Sequence, residues 1–251
     1  MRRRDILVSG IMLIGSLSAG ASAQTSQRKH PDSRTFRSGD LLWPKRSNEI
    51  IPYNHEPGEE LEASWRRERD NFVQSAEGEL DQQSLREIQL MSLDDFEHLY
   101  FEGQANGTLQ PYSGVAGTGH VAILEKNEAG NLWVIEAMMD RGVIRNPYDG
   151  WIRSRGQSGV WHGRVKSLSE DHIQRSVAVA KQQVGKPYNF WNFDLSDDTD
   201  FYCSKLVWYA FVRGAKLAID GNPQPKRSIW LSPKQVLNSS LVDQLFSPGT
   251  Y

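Results

Sequence analysis

Residues 119–146 read "GHVAILEKNEAGNLWVIEAMMDRGVIRN", and the way apolar residues recur along them decides the fold class. Residues 120–124 and 132–137 are two runs of β-favouring side chains, and Asn127, Gly130 and Asn131 mark a polar turn between them. The pattern is that of an antiparallel hairpin, with Gly142-Val143-Ile144 beginning a third strand. If the turn occupies residues 126–130, His120 stands directly opposite Glu136. Facing Cβ atoms in an antiparallel pair lie about 5 Å apart, close enough for a carboxylate to hold an imidazole nitrogen. Register decides this, because a slip of one residue sends the two side chains to opposite faces.

Strands and helices extend outward from the hairpin. Upstream, "SGDLLW" (residues 38–43) reads as a turn opening a short strand that Pro44 ends. Downstream, "SGVWHGRV" (residues 158–165) reads as a further strand. Residues 167–184 form a helix: Ser167 and Glu170 make a capping box, Ile173, Val177, Ala180 and Val184 trace one face, and Gly185 stops it. The polar and aromatic loop "GKPYNFWNFDLSDDTD" (residues 185–200) leads to a second helix, and Ser232-Pro233 starts a short third one. Residues 56–102 mix charged side chains with Leu61, Trp65, Phe72, Leu85, Ile88, Met91, Phe96 and Leu99 at helical spacing. They are two or three surface helices inserted into the sheet-forming chain, the last capped by Ser92 and Asp95. Such an insertion is either a solvated appendage or a lid over a site.

The second helix carries the chemistry. Within "DFYCSKLVWYAF" (residues 200–211), Cys203, Leu206, Val207, Ala210 and Phe211 share one face. Cys203 is the only cysteine in the 251 residues, so no intramolecular disulfide is possible. A lone cysteine on such a face is often a small buried hydrophobe. At the first turn of a helix, however, unpaired amides and the helix dipole favour a thiolate and can hold an oxyanion. A cysteine nucleophile needs a histidine to take its proton and a third group to orient that histidine. His30, His55, His98 and His172 lie in polar or helical surface segments, His162 in a strand is a reserve candidate, and His120 at the hairpin's start is the best placed. No grouping of His, Cys and Asp has the spacing of metal ligands.

The first 23 residues read as a leader. Arg2, Arg3 and Arg4 precede an apolar run of residues 6–17 and the small-residue cleavage signal Ala21-Ser22-Ala23. The apolar run is shorter than the ~20 residues of a membrane-spanning helix. The arginines resemble a twin-arginine signal, and general secretion fits equally. Residues 24–37 follow as a polar, flexible arm, and residues 38–251 form the folded domain. A net charge of −2 and a pI near 6.3 carry none of the basic footprint of nucleic-acid binding. The expected location is periplasmic or secreted.

"SGDLLW", "GHVAI" with Glu136 after it, "GKPYNF" and "YCSKLVWYAF", in this order, resemble the permuted papain-like hydrolases, YiiX/YaeF-like relatives of the NlpC superfamily of cell-wall cysteine hydrolases. In that branch the histidine and its polar partner precede the cysteine along the chain, as His120, Glu136 and Cys203 do here. The resemblance implies an α+β, circularly permuted papain-like fold, a small antiparallel sheet or partial barrel packed on the cysteine helix. It implies Cys203 as nucleophile, His120 as base and Glu136 as orienter, with Tyr202 or Tyr188 shaping the pocket or steadying the oxyanion. No cofactor is required. The expected substrate is an amide in cell-wall peptides, with lipid acyl hydrolysis or transfer and a non-catalytic periplasmic interaction module as alternatives.

Overall fold

The computed structural model describes residues 28–45, 52–53, 58–102 and 119–251. The expected leader and the first residues of the arm lie outside them. Among the described residues no helix is long and apolar enough to cross a membrane.

A single antiparallel sheet organises the chain. Its strands are β1 (Leu41–Pro44), β2 (Ala122–Lys126), β3 (Leu132–Met138), β4 (Gly142–Pro147), β5 (Val160–Val165) and β6 (Val242–Phe246), in the spatial order β4-β3-β2-β1-β5-β6. Among the described residues it is an open sheet, with β4 and β6 as its edges. Both faces are covered, which is why the central strands read as continuous apolar runs rather than as alternation. On one face Leu41, Trp43, Ile123, Ile135, Ala137 and Trp161 are buried in the main core. On the other, Leu42, Ala122, Leu124, Val134 and Val160 pack with Phe36, Tyr148 and Trp151.

The main core is completed by α5 (Glu170–Gln182) and α6 (Cys203–Ala215). Ten of the thirteen residues of α6 are buried, so it is a central helix and not a surface one. The two helices touch backbone to backbone: a Cβ on Gly214 would lie 2.4 Å from the Ser176 Cα, so only glycine fits there. Full burial of side chains such as Leu206 and Phe211 stabilises by about 1.5–3 kcal/mol each.

Several boundaries differ from the sequence expectation. The α5 cap is Ser169, whose side chain accepts the His172 N–H, and Ser167 sits at φ 57° in the turn before it. The helix α4 (Tyr148–Arg155) and the strand β6 were not anticipated. The α7 helix (Pro233–Leu237) does begin with the Ser232 cap, and Gln235 returns the bond in a full capping box. Residues 28–37 of the arm are held rather than loose. The Lys29 carbonyl accepts the Val160 N–H at 2.9 Å, His30 meets the Ser158 carbonyl at 3.0 Å, and Phe36 is buried.

The inserted helices are α1 (Leu61–Ser75), α2 (Gln82–Leu90) and α3 (Leu93–Glu97), the last continuing as a π-helical turn, His98–Glu102. Most of their apolar side chains are buried, though Leu61 and Leu90 are exposed. Trp65 stacks on Phe96 at 4.4 Å between ring centroids, Phe96 meets Trp230 at 5.7 Å, and Phe72 meets Trp191 at 5.4 Å. The insertion therefore docks through aromatic rings onto the loop that leads into α6 and onto Trp230, which follows α6 in the chain.

Candidate active site

Three elements converge on the site. Cys203 is the first residue of α6, and its N-cap, Tyr202, makes no side-chain cap bond. The N–H groups of the first turn thus keep the positive end of the helix dipole turned toward the thiol. Cys203 is partly exposed, whereas His120 and Glu136 are buried.

The hairpin brings His120 to Glu136, though in another register than expected. Lys126 pairs with Leu132 and Ile123 with Ile135, so the turn is residues 127–131. Asn127 sets it: its backbone N–H donates to the Asn131 carbonyl at 3.0 Å, and its side-chain oxygen accepts the Asn131 N–H at 2.8 Å. The pairing is offset from the expected one by two positions, which preserves the face each side chain takes. His120, two residues ahead of β2, is a diagonal rather than a direct neighbour of Glu136, and its Nε2 donates to Glu136 Oε2 at 2.8 Å. The Cys203 side chain also interacts with the imidazole, and Nδ1 is the ring nitrogen that the Glu136 bond leaves over.

Glu136 is held by two further donors that the sequence reading missed. Trp151 Nε1 donates at 2.9 Å and Arg155 Nη2 at 3.0 Å, both to Oε2 and both from α4. Their signal was present: Tyr148, Trp151, Ile152 and Arg155 follow helical spacing and Gly156 ends the run.

The electrostatics follow from this geometry. Burial works to raise the Glu136 carboxyl, but the bond to His120, the charges of His120 and Arg155 and the Trp151 N–H outweigh it, bringing it down to about 2. Burial works to lower His120, and its bonds to Cys203 and Glu136 overcome that and hold it above the ordinary histidine value. The arrangement favours an imidazolium between two acidic partners.

The remaining candidates lie elsewhere. The Tyr202 hydroxyl is buried and accepts the Leu231 N–H at 3.0 Å, while its ring packs near Phe190 and Phe193. Its hydroxyl oxygen is thus engaged by the backbone that precedes α7. The Tyr188 hydroxyl donates to the Pro52 carbonyl at 3.1 Å, tying the 185–200 loop to the segment before the insertion. His162 is buried on β5 and bonds Asp40 Oδ2 at 2.8 Å, apart from Cys203. Among the described residues no group of three or more His, Cys, Asp or Glu could hold a metal ion.

A thiol at a helix start beside an imidazole whose other nitrogen is held by a carboxylate is the arrangement that a cysteine nucleophile requires. Here its members come in the order histidine, carboxylate, cysteine. The family described as "Permuted papain-like amidase enzyme, YaeF/YiiX, C92 family" matches residues 103–223. The "Uncharacterized protein YiiX" of Escherichia coli (strain K12) is 32% identical over 122 residues, 47% of this chain and 55% of that protein. The chain thus spans about half the length of this curated relative. A crystal structure titled as metalloprotein yiiX from Escherichia coli O157:H7 aligns with a TM-score of 0.44 and 16% identity, over 84% of this chain and 96% of that one. Over residues 103–223 the chain is thus similar to the YiiX-like permuted papain-like family.

Proposed function

We propose that this protein is an exported cysteine hydrolase that cleaves amide bonds in cell-wall peptides. One observation carries the reading: Cys203, at the start of α6, shares the His120 imidazole with the buried Glu136. Export is supported by the basic, apolar and small-residue segments of residues 1–23.

In this mechanism His120 Nδ1 takes the thiol proton and Cys203 Sγ attacks the amide carbonyl. First-turn N–H groups of α6 receive the oxyanion, which charge developing at a helix N-terminus favours. As the tetrahedral centre collapses, the C–N bond breaks and the imidazolium gives its proton to the departing amine. A thioester remains on Cys203. Water, deprotonated by His120, then attacks the thioester, and release of the carboxylic acid restores the thiol. Glu136 keeps Nε2 protonated and stabilises the charged ring through both steps, and Trp151 and Arg155 keep Glu136 ionised and in place.

The test is incubation of the purified protein with defined muropeptides and, separately, a phospholipid mixture, read by mass spectrometry against Cys203→Ala. Cys203-dependent cleavage of a muropeptide amide is expected. Loss of acyl chains from phospholipid alone would move the substrate class to lipid esters. A Cys203 that reacts with iodoacetamide only after denaturation would end the enzymatic reading in favour of an interaction module.

A further inference from the structure

His120 projects its ring from a stretch that β2 does not yet hold, since that strand begins at Ala122. The residue before it, Gly119, adopts φ +134°, a conformation that glycine enters freely and that restrains the next peptide little. A residue from the far end of the sequence supplies the restraint. The Tyr251 hydroxyl accepts the His120 N–H at 3.0 Å and faces the His120 carbonyl at 3.3 Å. The absence of a side chain on Gly119 makes this approach possible, because a Cβ there would lie 1.9 Å from the hydroxyl oxygen. The phenol ring is itself steadied edge-on against Trp161, 4.9 Å between centroids at 90°. The neighbouring Thr250 carbonyl accepts Lys45 Nζ at 3.1 Å.

We propose that Tyr251 is a positioning residue for His120: its hydroxyl fixes the peptide from which the imidazole reaches between Cys203 and Glu136. This rests on Cys203 and His120 being a reacting pair. One hydroxyl engaging both the N–H and the C=O of a single residue defines the orientation of that residue's backbone, and hence where its ring nitrogens point. Displacement of a reacting group by about 1 Å costs on the order of a hundredfold in rate, so a glycine-preceded base gains from such an anchor.

Iodoacetamide labelling of Cys203 across pH, with thermal melting, tests this on the wild type, Tyr251→Phe, Tyr251→Ala and His120→Ala. Both Tyr251 variants are expected to label about two- to tenfold more slowly near pH 6, the worth of one hydrogen bond, and their acid limbs to move to higher pH. Tyr251→Phe, which keeps the ring on Trp161, is expected to melt as the wild type does. A Phe variant with the wild-type pH profile overturns the proposal, because the ring alone would then suffice. A uniform loss at all pH values accompanied by a lower melting temperature overturns it too, since that is a packing defect. If the wild type depends on His120 and Tyr251→Phe does not differ from it, only this inference falls. If His120→Ala labels like the wild type, the reacting pair falls and the inference with it.

Discussion

The described residues include two buried imidazole–carboxylate pairs, nearly alike in geometry. His120 bonds Glu136 at 2.8 Å and His162 bonds Asp40 at 2.8 Å. An arginine supports each carboxylate, Arg155 on Glu136 and Arg164 on Asp40 at 2.6 Å. The pairs differ in what meets the imidazole from its other side. His120 meets the thiol at the start of α6, whereas His162 meets the Phe36 ring, edge-on at 4.8 Å and 72°. Asp40 also accepts the Arg37 N–H at 2.9 Å, so the second pair staples the arm to β1 and β5. A buried histidine–carboxylate bond is therefore no signature of catalysis by itself. The third partner decides whether the ring is a strut or a candidate base.

Four substitutions separate the two pairs, in descending size of effect. His120→Ala should lower Cys203-dependent hydrolysis by about 10²–10⁴-fold, the usual weight of a general base. His162→Ala should leave the rate per folded molecule close to wild type and instead cost about 1–3 kcal/mol, since it removes one hydrogen bond from a buried carboxylate that Arg164 and the Arg37 N–H still hold. Turnover assays paired with urea melts give both numbers, and a loss of turnover in folded His162→Ala would erase the contrast. Glu136→Gln removes the charge beside the imidazole, and labelling of Cys203 by iodoacetamide at neutral pH should slow by about tenfold or more. Trp151→Phe deletes one of three donors to Glu136 and should slow labelling by a few-fold, the equivalent of about 1 kcal/mol.

Stability against pH sharpens the same contrast. Glu136 is held down to about 2 from an ordinary 4.5. Its share of stability is present above the ordinary value and is lost as pH falls from there toward 2. Asp40 is lowered in the same sense: burial opposes the shift, and the bonds to His162 and Arg164 prevail. Both pairs should thus contribute to acid unfolding, and Glu136→Gln and Asp40→Asn should each flatten the acid limb of a melting-temperature profile. His120 is raised, so its contribution has the opposite sign, present below the ordinary histidine value and lost as pH rises through the folded one. The deficit of His120→Ala should accordingly shrink on the alkaline side.

Local signals were legible wherever one residue type does one local job. The hairpin 119–146 and the Ser232-Pro233 start are visible because turns and caps are written within a few residues. The α5 cap was misassigned because Ser167 and Ser169 both precede acidic residues, and only the backbone says which serine turns inward. The β6 strand was invisible because it is an edge strand with Asp243, Gln244 and Leu245 exposed, which leaves no periodic apolar pattern. The α4 helix was passed over between two strands, and with it Trp151 and Arg155, whose importance lies in a contact and not in a motif.

The sequence alone determined the antiparallel hairpin, the helix that starts at Cys203 and the chain order of histidine, carboxylate and cysteine, because hydrophobic period, turn residues and helix starts are local properties. Face, too, was within its reach: an offset of two residues leaves alternation intact, so His120 and Glu136 stayed together although their register was misread. Only the tertiary structure decided which histidine the thiol meets, what holds Glu136, and how Tyr251 reaches back 131 positions to the His120 backbone. Those contacts join segments far apart along the chain. The spacing between such segments carries no trace of the distance that folding leaves between their side chains.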